Sequence, residues 1–168
     1  MKVFKIIVVG VVAGLLWASC FNSRWSEEQR NDFETNCSQT DTFTNLLFQL
    51  NGFENNEFDS ILIRDYIDGI IVDSFKVFVW PAQNPNEKER KERSATIKKT
   101  MHIKHKYQFI IPGEKPYELT NMKMIMWPQY TMTSEGWGCV MGDFTIDGVR
   151  FEHTSNPIFI KRNTSSAE

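Results

Sequence analysis

The side chains of this chain that could do chemistry are few: three histidines and three cysteines among 168 residues. His102 and His105 stand three apart, a spacing that shares one face of a helix but falls on opposite faces of a strand. The surrounding residues alternate like a strand, which denies the pair a joint metal. A zinc site would also need further ligands, and no Cys or His cluster supplies them, so neither metal nor cofactor is expected. Ser134-Glu-Gly-Trp-Gly-Cys139 is the most distinctive stretch, and a cysteine after glycines invites a nucleophile reading with His153 as its base. The competing reading makes Cys139 a disulfide or core thiol and gives Gly136 and Gly138 to a tight turn into the next strand. There is no glycine-rich phosphate loop, no serine-hydrolase elbow and no carboxylate pair set apart by its spacing. No catalytic residue is therefore assigned, and a hydrolase whose groups only the fold brings together is kept as the alternative.

The first cysteine has a different context. Lys2 and Lys5 precede an apolar run from Ile6 to Ala18, too short for the ~20 residues that span a bilayer. Residues 1–19 read as a secretory signal. Its end, Ala18-Ser19-Cys20, resembles a lipobox, in which small residues precede a cysteine that is lipidated; Trp17 departs from the leucine favoured at that place. Cys20 is the expected lipidation site, followed by a tether over 20–25. Export leaves Cys37 and Cys139 in a compartment that permits disulfides, and a bridge between them is expected, with two buried thiols as the alternative.

The elements that must position these residues follow from periodicity. Ser26 and Gln29 have capping-box spacing, which predicts a short docking helix within 26–38 whose thin apolar face is Phe33 and Cys37. From residue 43 the period changes to two. At Asp68-Gly69 a three-residue loop of Ile67, Asp68 and Gly69 with a G1 bulge gathers Ile61, Ile63, Ile71, Phe75, Val77 and Val79 on one face, and is favoured over a two-residue turn. Asp147-Gly148 gives the opposite answer: a two-residue turn pairs Ile146 with Val149 and Phe144 with Phe151. Residues 97–111 read as one long strand, Leu119 to Trp127 as another, and Trp80-Pro81 and Trp127-Pro128 each as a strand end. The expected fold is all-β: an antiparallel two-sheet sandwich of about eight strands over 40–162, with one short N-terminal helix and a disordered tail at 163–168.

Composition excludes whole classes. Hydrophobic residues at 41% and charged residues at 24% rule out a collagen-like, disordered or polytopic membrane chain. A net charge of -2 gives no general attraction to nucleic acid, which is not an expected partner. Residues 87–106 nevertheless hold eight Lys or Arg against three Glu, either a patch for lipid phosphates or acidic glycans or a solvated connection. Trp80 follows Phe78 on the face of Ser74 and Lys76, while Trp127 lies on the face of Asn121 and Lys123. Exposed, Trp80, Trp127 and Phe78 would form a stacking platform for a ligand; covered by the helix or by the 81–96 connection, they would be a second core.

The lipobox-like Ala18-Ser19-Cys20, the helix ending in Cys37, the strand leading to Gly52-Phe53, the Ser134 to Cys139 segment and the Ile146 to Val149 hairpin together resemble small lipoproteins of the Bacteroidetes type. That resemblance implies a prealbumin-like or immunoglobulin-like β-sandwich on the outer membrane, held there by its lipid anchor. It carries over no functional residue. The expected role is a non-catalytic binding or accessory module whose partner is a glycan or a neighbouring envelope protein.

Overall fold

The computed structural model describes residues 25–130 and 135–162. The expected leader over 1–19, the expected lipidation site Cys20, the expected tether up to residue 24, Ser134 and the expected tail over 163–168 lie outside the described residues.

The first helix, α1 (Glu27–Ser38), begins where side-chain chemistry dictates. Ser26 Oγ accepts from the Gln29 amide at 3.1 Å, and Gln29 Oε1 accepts from the Ser26 amide at 2.9 Å. This reciprocal box satisfies two of the amides that every helix start leaves open. A second helix, α2 (Pro85–Arg90), corrects the expectation of one. Asn84 caps it, Pro85 opens it, and Glu87 closes a second box: its amide donates to Asn84 Oδ1 at 2.9 Å. The Asn-Pro-x-Glu signature was present in the sequence and is a sound helix start.

The strands among the described residues are β1 (Thr42–Phe43), β2 (Leu46–Asn51), β3 (Ser60–Ile67), β4 (Ile70–Trp80), β5 (Glu92–Ile97), β6 (Met101–His102), β7 (Lys106–Ile110), β8 (Tyr117–Tyr130), β9 (Glu135–Ile146), β10 (Val149–Phe151) and β11 (Ile158–Ile160). The molecule is all-β in character, but the two-sheet antiparallel sandwich of about eight strands gives way to a different layout. Nine strands form one sheet in the order β10-β9-β8-β7-β3-β4-β5-β2-β11, with β1 and β6 paired separately. The pairing of β11 with β2 is parallel.

This sheet is curled. Three strands separate β7 from β2, which would hold them roughly 19 Å apart if flat. Yet the rings of Phe48 and Phe109 meet at 5.2 Å, and Phe159 of β11 lies 4.4 Å from Phe109. All three are fully buried and form the centre of the core. The curl turns at the end of β4, which pairs with β3 along most of its length but with β5 only through Val79 and Trp80. Alternation fixes which side of a strand is apolar. It carries no information on whether two apolar faces belong to two sheets or to one sheet folded on itself.

Local registers show the same division. The β9–β10 hairpin has the expected pairs, Ile146 with Val149 and Phe144 with Phe151, over a turn in which Asp147 and Gly148 both have positive φ. Gly148 sits at φ +84 with open space around its Cα. Gly148→Ala is therefore expected to cost about 1 kcal/mol through backbone strain alone, measured as a shift in urea midpoint at unchanged slope. The β3–β4 hairpin differs from expectation. Its turn is the two-residue one, with Ile67 opposite Ile70, and the extra residue enters as a bulge at Val72 inside β4. Beyond the bulge Ile63 faces Phe75 and Ile61 faces Val77, so the intended residues share a face in a shifted register. Ile71 does not join them and is 48% exposed, along with Ile70 and Val72 at the tip.

Residues 97–111 are three strands instead of one, because a turn follows β6. Trp80 ends β4 as read, but Pro128 lies within β8, opposite Trp137. The proline is tolerated because β7 reaches only Tyr117–Leu119, leaving that end of β8 without a neighbour on its other side. Gly136 and Gly138 likewise belong to β9 and not to a turn; the Gln129 side chain lies across Gly138, where a Cβ would stand.

Candidate functional site

The outer face of β4 and β5 is the first candidate. Val77 and Val79 point into the core, so Lys76, Phe78 and Trp80 must point out. Phe78 is 55% and Trp80 51% exposed, and their rings pack edge to face at 5.3 Å. Across the ladder Trp80 pairs with Ser94, Ser94 with Gln49, and Gln49 with Ile158. A polar seam of Ser94, Thr96 and Gln49 thus runs between aromatic and aliphatic borders. Beside the two rings lies a groove of about 510 Å³ whose walls include Phe75, Lys76, Thr96, Lys98 and Lys99. Lys99 pairs with Asp73 and lies 5.0 Å above the Phe75 ring, whereas Lys76 and Lys98 have no ion-pair partner among the described residues. The groove therefore presents aromatic faces, hydroxyls and two free positive charges.

Trp127 is not part of this platform. It is half-buried at the far side of the sheet, where α1 packs against β8, and it lines a separate cleft with Cys139. The structure thus brings Trp80 and Phe78 together and leaves Trp127 apart. It joins Cys37 to Cys139 in a disulfide with an S–S distance of 2.02 Å. A bridged Cys139 has no thiolate to offer, which removes the nucleophile reading. His153 is exposed, and its backbone amide donates to Asp143 Oδ1 at 3.1 Å.

The fold also assembles a polar cluster that strand periodicity concealed. The turn after β6 stacks the rings of His102 and His105 at 4.6 Å, so the two histidines do meet. His105 Nδ1 lies 2.8 Å from Asp65 Oδ1, and the Tyr107 hydroxyl accepts from the His102 amide at 2.7 Å. Burial pushes the Tyr107 phenol above its ordinary value, with the nearby Asp65 charge adding to it. Such a group can hold and orient a proton. Its histidines line neither the groove nor the cleft, and among the described residues no three metal-ligating side chains converge.

No family model, curated protein or solved structure matches this chain. The site must therefore be read from its own chemistry. Sequence reading selected Phe78 and Trp80 and put Lys76 on their face, but missed Lys98 as their neighbour. The alternation of β4 is enough to place Lys76; Lys98 requires the β4–β5 register, which is set through the curl.

Proposed function

We propose that the protein is a lipid-anchored, non-catalytic module of the outer membrane that binds an acidic glycan on the outer face of β4 and β5. The observation that carries this reading is the exposed, mutually packed pair Phe78 and Trp80 beside unpaired lysines. Large aromatic rings left in water mark binding surfaces, and an amphipathic ring suits the apolar face of a sugar. Ser94, Thr96 and Gln49 would bond its hydroxyls, and Lys76 and Lys98 its carboxylate or sulfate groups. Anchoring rests on Ala18-Ser19-Cys20, and mass spectrometry of the membrane fraction would find diacylglycerol on Cys20. An unmodified thiol there would remove the anchor. The hydrolase alternative has Asp65 and His105 as a fold-assembled pair, and neither residue lines the outer-face groove or the Trp127 cleft.

Titration of the full-length chain with polygalacturonate, alginate and chondroitin sulfate tests the binding. At least one is expected to quench tryptophan fluorescence, more weakly as salt rises. Trp80→Ala is expected to lower affinity about thirtyfold, the size of an aromatic hot spot, with stability changed by less than about 1 kcal/mol. Lack of response to all three, or equal affinity of the Trp80→Ala variant, would overturn the reading.

A further inference from the structure

The cleft at Trp127 has a chemistry opposite to that of the outer-face groove. It encloses about 460 Å³, within the ~300–1,000 Å³ usual for small-molecule sites. Three segments distant in sequence form it: the connection after α1, the β8–β9 pair at Trp127 and Cys139, and the loop at Ser155 and Asn156. In a chain with 24% charged residues, its wall holds no ionisable side chain. An ionic ligand would find no counter-charge there.

What the wall offers instead is hydroxyl and amide groups from Thr40, Thr42, Thr44, Asn45, Ser155 and Asn156. The Thr40 hydroxyl donates to Asn36 O at 3.1 Å, and the Asn45 amide reaches the Thr44 hydroxyl at 3.5 Å. The side chains of Thr42, Ser155 and Asn156 have no protein partner among the described residues, and all three are half-buried. A purely apolar ligand would strand these groups, which is costly. A neutral polyol would satisfy them while its ring carbons cover Trp127.

We propose that this cleft binds a neutral oligosaccharide, one sugar ring lying on Trp127 and its hydroxyls bonded to Thr42, Ser155 and Asn156. The Cys37–Cys139 bridge sets the width of the site, because it ties the start of the 40–45 wall to β9, the wall opposite. The cleft and the groove share no lining residue, so this site stands or falls independently of the acidic-glycan site.

The test uses the full-length chain in detergent with ¹⁵N-labelled tryptophan indoles, titrated with maltotetraose, cellotetraose, xylotetraose and chitotetraose. At least one is expected to shift the Trp127 indole resonance at millimolar concentration and leave that of Trp80 in place. Thr42→Val and Asn156→Leu, conservative in size and outside the core, are expected each to weaken that shift about tenfold or more with melting unchanged. Dithiothreitol is expected to weaken it as well. No response at Trp127 to any of the four sugars, a response at Trp80 alone, or undiminished binding by both variants would overturn the proposal. Binding of polygalacturonate at Trp80 would be read on a different resonance, so failure of either site is visible by itself.

Discussion

Replacing both Cys37 and Cys139 by serine is expected to lower the unfolding free energy by about 3–4 kcal/mol and to free α1 before the sheet unfolds. The bridge closes a loop with a sequence separation of 102. Restricting so long a loop in the unfolded chain is worth up to ~4.7 kcal/mol on chain-entropy grounds, and measured values usually fall below that limit. Cys37 is moreover the one buried residue of α1, whose other contacts include half-buried Phe33 against Trp25 and Arg30 over the Trp137 ring at 5.3 Å. Phe48, Phe109 and Phe159 pack on one another directly, while Cys37 belongs to the same buried cluster and Cys139 packs against it. Two effects should therefore separate. Thermal melting of the double variant is expected to fall by roughly 10 °C. Hydrogen exchange at 25 °C is expected to deprotect residues 27–40 while β2, β3 and β7 stay protected. Equal deprotection of helix and sheet would mean that the bridge holds the whole fold; a melting point unchanged by the double substitution would mean that it holds nothing.

How far these features could be read beforehand follows from their range along the chain. The Ser26 capping box and the Asp147-Gly148 turn are decided by residues within four of each other, and both are found where local chemistry put them. The disulfide spans most of the chain; with Cys20 expected to be lipidated, only one connectivity was left, but the choice between a bridge and two buried thiols needed the distance that the fold supplies. The β3–β4 bulge was not legible, since placing the extra residue in the loop or at Val72 gives the same alternation from Asp73 onward and differs only at the tip, where Ile71 changes face. Nor was the parallel pairing of β11 with β2, since a three-residue strand carries no local signal for a partner so far back in the chain. The two candidate sites divide in the same way. Phe78 and Trp80 are neighbours by alternation, whereas the Trp127 cleft gathers residues from 40–45, 127 and 155–156, and no spacing rule links those segments.

Arg93 is the second position where a large effect is expected. It pairs with Leu50 in the β2–β5 ladder and is 2% exposed, so its side chain occupies an inward position otherwise given to apolar residues. Its role follows from what lies over it. The connection between β2 and β3 turns backbone carbonyls inward, and Arg93 Nη1 donates to Glu54 O at 3.0 Å while Nη2 donates to Phe58 O at 2.6 Å. The guanidinium also lies 4.6 Å over the Phe58 ring, which packs edge to face on Phe53. Burial holds its pKa below the ordinary arginine value, opposed by the Asp59 and Glu57 charges, and it stays protonated at any working pH. Arg93→Ala removes two charge-assisted bonds, leaves their carbonyls under-satisfied and opens a cavity, for an expected loss of about 3–4 kcal/mol in urea unfolding. Arg93→Lys keeps the charge but loses the planar fork that serves two carbonyls at once, and about half that loss is expected. Arg150 supplies the control: its pair with Glu152 at 2.9 Å is exposed on both sides, and Arg150→Ala is expected to cost less than about 0.5 kcal/mol. If Arg93→Ala costs no more than Arg150→Ala, the carbonyls of residues 54 and 58 find other donors and the closure of this end of the sheet is not arginine's work. If it costs the expected amount with exchange increased first at residues 53–59, a charged side chain at a core position is explained by the backbone it satisfies.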